Sequence, residues 1–597
     1  MRRNIITILL FSILIIMVNI NWADDINAPN DDVLKNIYTQ LQNADGTDHP
    51  LQDITYSLTY GNAIPPGGQD LFLYPGKRVW GISAHSVPAY GFDTSDNHNK
   101  DFGLPYCNSE SDCLPNSVCY HSTAFTNAQG VSANTKMCTG AADENLAGIY
   151  NLITRANKFV DITTLEPFPN LRFKATIRDA LTTLAKTGKP ITVRILDGLY
   201  LLPVYKKNIS ANQEYKKLNE ETESYLEDLV RDVKNIQNEQ LTIYIAGMRS
   251  CSGIPLTTCV KEAPSHYMEP SWNHSKIVNV DGKIVMTGGV NWFATNYLET
   301  DPVFDLMNEV WGPAAQKTLG FTNMLWTYVR NNMSQYPQDI IEYGYKNKQI
   351  SKDLTPPNLT ADVPPEMGVV EVLGVGRTGG GILSNGQRKN ASDLAIYLLL
   401  SQAQHTIYLA QQSLEASFNT WPFNVEKDQS GHPIAHTNFI SALARLLEKG
   451  GDVYIVTSPY SEIPVELGYS SLASKSDMWN KIKSELASLP SIKKRKLSQQ
   501  ALENMLVNHL HIANIRFNNT DSHWPDGKEI YDHYKFIMTD EHLFYFGSQN
   551  FYPSGLQNYG YIINDNNSGA AEYMLNQFWE PLWNYSKENE YKPDEPK

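Results

Sequence analysis

The chain has 597 residues, 42% of them hydrophobic and 19% charged, which is enough apolar material for two domains with full cores and too much for a disordered chain. Its net charge is −15 and its pI about 5.4. That balance argues against a protein that grips nucleic acid through a broad basic face, though not against one with a local basic pocket.

The chain opens MRRNIITILLFSILIIMVNINWADD. Arg2 and Arg3 precede an apolar run from Ile5 to Ile20, and Ala23 stands before two aspartates. This predicts a secretory signal peptide over residues 1–23, with delivery outside the cell or into the endolysosomal lumen. An uncleaved anchor is the alternative, for which the apolar run is short. The next residues are polar, with one helix over DVLKNIYTQLQNA.

From about 83 to 143 the chain is rich in Gly, Asn and Ser and carries Cys107, Cys113, Cys119 and Cys138. It reads as an inserted loop pinned by disulfides, decorating the fold or roofing the site. Two disulfides are expected among these four cysteines, in any connectivity. Cys251 and Cys259 flank a short loop and are expected to form a third. A metal site is the alternative, but paired CxxC spacing and a neighbouring His cluster are missing. Sequons at Asn208, Asn332, Asn358, Asn390, Asn518, Asn566 and Asn584 suit a glycosylated secretory protein. Asn273-His-Ser is formally another, expected unmodified because it abuts the motif described below.

Regular alternation begins at Glu144. ENLAGIYNLITRANK predicts a helix, KFVDITTLEPF a strand, and LRFKATIRDALTTLAKTG a helix capped at Gly188. ITVRILDG and LTIYIAGM are buried strands around a polar helical stretch, residues 211–237. A helix over GPAAQKTLGFTNMLWTYVRN closes the half. Residues 333–366, rich in Asn, Gln, Lys, Pro and Thr, read as an exposed linker. The second half repeats the first: strand VVEVLGVG, helix ASDLAIYLLLSQAQ, strand HTIYLAQQSLEA, helix TNFISALARLLEKGG, strands DVYIVTSP and LHIANIRF, and the final helix AAEYMLNQFWEPLWNYS. The fold class is α/β. Two duplicated α/β/α domains, residues 24–332 and 367–597, are expected about a pseudo-two-fold axis.

Each half carries the same pattern. The first copy is His274-Ser-Lys276, Asp281, then Gly288-Gly289-Val-Asn291; the second is His533-Tyr-Lys535, Asp540, then Gly547-Ser548-Gln-Asn550, at identical spacings. Either histidine alone would pass as an ordinary core or surface residue. Both, at one spacing with Lys, Gly and Asn, point to chemistry on a phosphodiester. One neutral imidazole can attack phosphorus while a second imidazolium protonates the leaving oxygen. Two lysines and the amides of Asn291 and Asn550 can hold the non-bridging oxygens. HxK on a strand places both side chains on one face, and Gly289 and Ser548 fall where backbone can approach a phosphate. One motif supplies half the set, so the site is expected where the two domains meet.

The paired HxKx4Dx6G[GS]xN motifs resemble those of the phospholipase D superfamily. VDITTLEPFPN, ITVRILDG, SWNHSKIVNVDGKIVMTGGVNW, PVFDL with GPAA, and GSQNFYPSGLQNYGYII resemble, in order, stretches of the secreted Streptomyces-type phospholipases D. The resemblance runs from about Asn62 to Ser586, outside the insert and linker. It implies a two-step reaction in which His274 attacks phosphorus and His533 protonates the leaving alcohol, then deprotonates water. It also implies that Lys276, Lys535, Asn291 and Asn550 hold phosphate, that Asp281 and Asp540 support the scaffold, and that no metal or other cofactor takes part. Asp305, in PVFDL, matches the family's support for His533. Asn558 stands where those bacterial enzymes carry Asp to support the nucleophile, so slower chemistry or a shifted pH optimum is expected.

The substrate so implied is phosphatidylcholine at a membrane surface, cut to phosphatidate and choline, with water or a primary alcohol as acceptor. The enzyme is expected to be a monomer that takes no nucleic acid. Trp272, Trp292, Tyr297, Phe551 and Tyr552 flank the motifs and are candidates for a choline-facing wall, with core packing the plainer reading of each. A secreted or lysosomal nuclease is the rival activity, since DNA and RNA are phosphodiesters too. A binding protein that kept the fold and lost the chemistry is the third reading; the complete motifs oppose it.

Overall fold

The structure is a computed structural model that describes residues 32–64, 106–109, 111, 118–120, 136–139, 144–166, 168–199, 211–250, 271–297, 303–333, 340–378, 382, 390–414, 437–461, 468–516, 522–523, 529–551, 556–565 and 568–593. The expected signal peptide, Cys113, Cys251, Cys259, Asn208, Asn518, Asn566 and Tyr552 lie outside them.

Two large sheets dominate. Strand β1 is Tyr56–Asn62, and β2 (Tyr106–Cys107), β3 (Val118–Tyr120) and β4 (Lys136–Thr139) form a small sheet in the cysteine-rich stretch. Cys119 lies directly opposite Cys138 across the antiparallel β3–β4 ladder, and Cys107 lies opposite Lys136. The first large sheet holds β5 (Phe159–Leu165), β6 (Thr192–Gly198), β7 (Thr242–Ser250), β8 (Ser271–Trp272), β9 (Ile277–Val280), β10 (Ile284–Gly288), β11 (Met307–Trp311), β12 (Ile340–Lys346) and β13 (Gln349–Ser351). The second holds β1 with β14 (Val370–Arg377), β15 (Thr406–Gln411), β16 (Asp452–Thr457), β17 (Leu510–Asn514), β18 (Lys535–Thr539), β19 (Leu543–Gly547) and β20 (Asn558–Asn564).

The strand orders expose the duplication. The first sheet runs β11-β10-β9-β5-β6-β7 and the second β20-β19-β18-β15-β16-β17. In each, three parallel strands joined through helices are extended by an antiparallel pair of motif strands. Every residue of β5 is buried, because helices such as Leu171–Lys186 cover one face and Pro313–Asn332 the other. The helix ends where Gly188 takes a positive φ of 65°, and Pro313 opens the other helix without losing a needed N–H.

Two domain boundaries need correction. Residues 340–351, expected as linker, form the hairpin β12–β13 on the edge of β7, with Ile340, Ile341, Tyr343 and Tyr345 buried. The polar average of the surrounding stretch hid a short strand. The start of the described chain belongs to the second half: β1 pairs with β14, and helix Val33–Asp45 packs on helix Ala391–Gln402. Ala63 then bridges Trp311 of the first sheet, so one segment is stitched to both halves. Helix Pro313–Asn332 lies against β1, β14 and β11, and Phe321 meets Tyr559 at 5.0 Å between ring centroids. One hydrophobic cluster runs from Ile162 and Val278 of the first sheet to Phe546 and Tyr561 of the second. An interface built this way holds the halves in fixed register.

Candidate active site

Both motifs lie where the two halves meet. Each histidine is held there by backbone from the opposite half. His274 N–H donates to Gln557 O at 2.8 Å, and Gln557 N–H donates to Trp272 O at 3.2 Å. His533 N–H donates to Phe304 O at 2.8 Å, and Phe304 N–H donates to Tyr531 O at 3.0 Å. The two sets match residue for residue, so Phe304-Asp305 and Gln557-Asn558 are equivalent positions.

The side chains follow the same rule. His274 Nδ1 lies 2.9 Å from Asn558 Oδ1 and 3.1 Å from the Ser548 carbonyl oxygen. Two acceptors on Nδ1 fix the proton there and leave Nε2 with a bare lone pair. His533 Nδ1 lies 2.6 Å from Asp305 Oδ2, which also accepts from Tyr297 OH at 3.0 Å. Each lysine folds back onto its own motif: Lys276 Nζ donates to His274 O at 2.7 Å, and Lys535 Nζ to His533 O. All four side chains are buried.

Electrostatics leave the centre short of negative charge. Burial pushes both histidines well below their usual value, and the two lysines push in the same direction. Burial lowers Lys276 well below the usual lysine range, with Lys535 adding to it, and takes Lys535 to about 7 against the pull of Asp305 and Asp532. The Asp305 carboxyl is lifted by burial to about 7, with Lys535 the largest opposing influence. An anionic phosphodiester between the lysines would raise both lysines and histidines together.

Asp281 and Asp540 turn away from this centre. Asp281, at a positive φ of 55°, accepts from the backbone N–H groups of Asn157, Lys158 and Phe159, all at 2.8 Å. Asp540, at φ 50°, accepts from Gln404, His405 and Thr406 at 2.7–3.0 Å. Each ties its motif hairpin to the start of the neighbouring parallel strand.

Gly289 and Ser548 serve the histidine partners. A Cβ on Gly289 would lie 2.2 Å from Asp305 Oδ1 and 2.8 Å from Lys535 Cδ, so glycine here makes room for the carboxylate and the lysine stem. Ser548 Oγ donates to Asn558 Oδ1 at 3.0 Å and accepts from Tyr559 N–H at 3.1 Å. Its backbone N–H donates to Tyr559 O at 3.0 Å, so hydroxyl and N–H are both engaged within the scaffold. Asn291 and Asn550 are both buried beside the motifs. Asn291 Nδ2 donates to Tyr469 OH at 3.3 Å, and its Oδ1 has no hydrogen-bond partner among the described residues.

Tyr469 was not singled out by sequence. Its ring stands edge-on to His533 at 4.8 Å and to Tyr297 at 6.2 Å, yet it lies in a loop without periodicity, 64 residues before the second motif. The expected choline wall fares differently. Trp292 and Tyr297 are fully buried, Trp292 stacking on Phe173 and Tyr297 bonding Asp305. Phe551 stacks on Phe439, and Trp272 packs with Leu165 and Leu556. These four are structural rather than a wall facing solvent.

Among the expected glycan sites, Asn358 and Asn584 are exposed, while Asn332 and Asn390 are half-buried. Asn390 accepts from Thr378 N–H at 3.0 Å at the start of a helix. Asn273 is fully buried and donates to Thr164 O at 2.7 Å, which leaves no room for a glycan.

No family model matches the chain. Over 477 residues it is 26% identical to "Phospholipase D" of Streptomyces antibioticus, covering 73% of this chain and 76% of the relative. The chain thus resembles the phospholipase D superfamily over most of its length, as well as in its paired motifs. Among solved structures, the phosphatidylserine synthase of Haemophilus influenzae Rd KW20 aligns with a TM-score of 0.42 at 13% identity, over 83% of this chain and 92% of that one. The phospholipase D family member Nuc of Salmonella typhimurium aligns with a TM-score of 0.19 at 18% identity, over 34% and 91% respectively.

Proposed function

We propose that the chain is a secreted phospholipase D, hydrolysing the distal phosphodiester of glycerophospholipids and transferring the phosphatidyl group to primary alcohols. Phosphatidylcholine, cut to phosphatidate and choline, is its reference substrate. The observation that carries this is the matched pair of buried histidines with unlike partners, Asn558 on His274 and Asp305 on His533.

The lone pair on His274 Nε2 forms a bond to phosphorus, and the bond to the head-group oxygen breaks. The proton on His533 Nε2 passes to that oxygen. Asp305 suits His533 for this, since a carboxylate on Nδ1 favours the imidazolium. In the second step a water oxygen attacks phosphorus, its proton returns to His533, and the pair in the N–P bond returns to His274. Lys276 and Lys535 meet the non-bridging oxygens. Turning the Asn291 amide over lets Tyr469 donate to Oδ1 and releases Nδ2 toward the same anion.

The test uses mature protein with phosphatidylcholine vesicles and ethanol, beside His274→Ala and single-stranded DNA. Choline release with phosphatidylethanol, lost in the variant, supports the reading. DNA cleavage without lipid turnover replaces it with a nuclease.

A further inference from the structure

The two halves place their charges unequally at equivalent positions. His533 is preceded by Asp532 and partnered by Asp305; His274 is preceded by Asn273 and partnered by Asn558. All four partners are buried. One histidine thus follows an acid in the chain and is partnered by an acid, while the other follows an amide and is partnered by an amide. The amide at 558 is seated as an amide: Oδ1 accepts from His274 and from Ser548 Oγ, while Nδ2 donates to Leu556 O at 3.2 Å. A carboxylate there would set an oxygen against that carbonyl.

We infer that Asn558, held by Ser548, keeps the phosphorylated form of His274 short-lived, so that its formation rather than its breakdown limits turnover. The inference rests on the proposed two-step reaction. In the covalent intermediate, phosphorus occupies Nε2 and the proton stays on Nδ1, so the ring carries a positive charge. A carboxylate partner would neutralise that charge and make the ring a poorer leaving group. An amide offers only a dipole, so the N–P bond breaks readily when water or an alcohol attacks. The same lack of charge weakens His274 as the attacking group, which shifts the slow step to bond formation. Asn558 is a positioning residue that acts through the ring and touches no substrate.

The experiment compares wild type with Asn558→Asp. Alkaline-quenched intact mass reads the fraction of enzyme carrying the phosphoryl adduct, on short-chain phosphatidylcholine and on bis(4-nitrophenyl) phosphate. The expected result is no burst of choline from wild type and an adduct fraction about ten-fold higher in Asn558→Asp, from replacing a neutral by a charge-assisted hydrogen bond. A burst near one equivalent from wild type overturns the inference, whether or not the variant folds. So does an Asn558→Asp protein of unchanged Tm whose adduct fraction does not rise. Turnover of the nitrophenyl ester without choline release removes the lipid reading and leaves the adduct comparison to decide this one. Silence of both proteins on both substrates sinks both.

Discussion

Asp305→Asn isolates the proton-transfer half of the centre. In the native protein Asp305 Oδ2 accepts from His533 and Tyr297, and Oδ1 accepts from Leu306 N–H at 2.8 Å. Every contact is a donor, so an amide must turn its NH2 toward one of them; facing Leu306 is the least harmful. The charge on His533 then loses its carboxylate, a difference of about 1–2 kcal/mol between charge-assisted and neutral hydrogen bonds. The misplaced NH2 adds about 1–3 kcal/mol, part of it shared by the resting enzyme. Together these predict a fall of roughly 10- to 1,000-fold in choline release. Choline needs a proton as it leaves, whereas 4-nitrophenolate leaves without one. The variant should therefore lose far more activity on phosphatidylcholine than on a phosphatidyl nitrophenyl ester. The assay is kcat on the two substrates at one pH, with Tm measured alongside. Equal losses on both would refute His533 as the acid steadied by Asp305.

Other perturbations separate structure from chemistry. Lys276→Met should abolish turnover yet raise Tm by a few degrees, because it removes a buried cation disfavoured by burial and by Lys535; a lower Tm by calorimetry would contradict this. Inorganic phosphate or tungstate should stabilise the wild type by about 2.7 kcal/mol at a hundred-fold excess over Kd, and should give no shift in Lys276→Met. Asp281→Ala should cost about 3 kcal/mol in denaturant unfolding and Asp540→Ala less, since Asp281 and its bond to Phe159 N–H are buried, whereas the bonds of Asp540 to Gln404 and His405 are exposed and water can replace them. Glu342, on β12, is 4% exposed, and burial lifts it to about 7. Its folded value lies above its unfolded one, so the cost of ionising it is absent below about pH 4.5, grows up to about 7, and is constant above. Glu342→Gln should accordingly raise stability by about 2 kcal/mol at pH 8 and leave it unchanged at pH 4.

The sequence exposes the repeat because its spacing is local. The turn Asp lies in one hairpin, with HxK leading into its first strand rather than lying on it as expected, and Gly-x-Asn leaving its second, and a hairpin fixes its own register. Asp281 and Asp540 cap backbone more than a hundred residues away, yet the demand for a positive φ and three acceptor contacts is visible only once β5 and β15 are in place. Tyr469 and the double bond of Ser548 to Asn558 and Tyr559 were hidden for a similar reason: nothing in a loop's or a motif's residue order says which hydroxyl faces which ring. The β12–β13 hairpin was lost to averaging, since seven residues of strand sit in a polar stretch. The crossing of β1 into the second sheet was lost because an edge strand reads alike beside either neighbour.

Duplication explains why the centre exists, and its broken symmetry explains why the reaction has a direction. A perfect two-fold would give each histidine the same partner, and either could attack. Here the backbone scaffold stays symmetric, down to the paired bonds of His274 with Gln557 and of His533 with Phe304, while the groups on Nδ1 diverge. Gly289 leaves space for an acid at 305, and Ser548 spends its hydroxyl holding an amide at 558. Exchanging the partners, with Asp305→Asn and Asn558→Asp in one chain, tests whether direction resides in those two residues. If it does, the adduct should move from His274 to His533, and peptide mapping of the trapped enzyme would locate it. An adduct that stays on His274 would place the asymmetry in how the substrate enters.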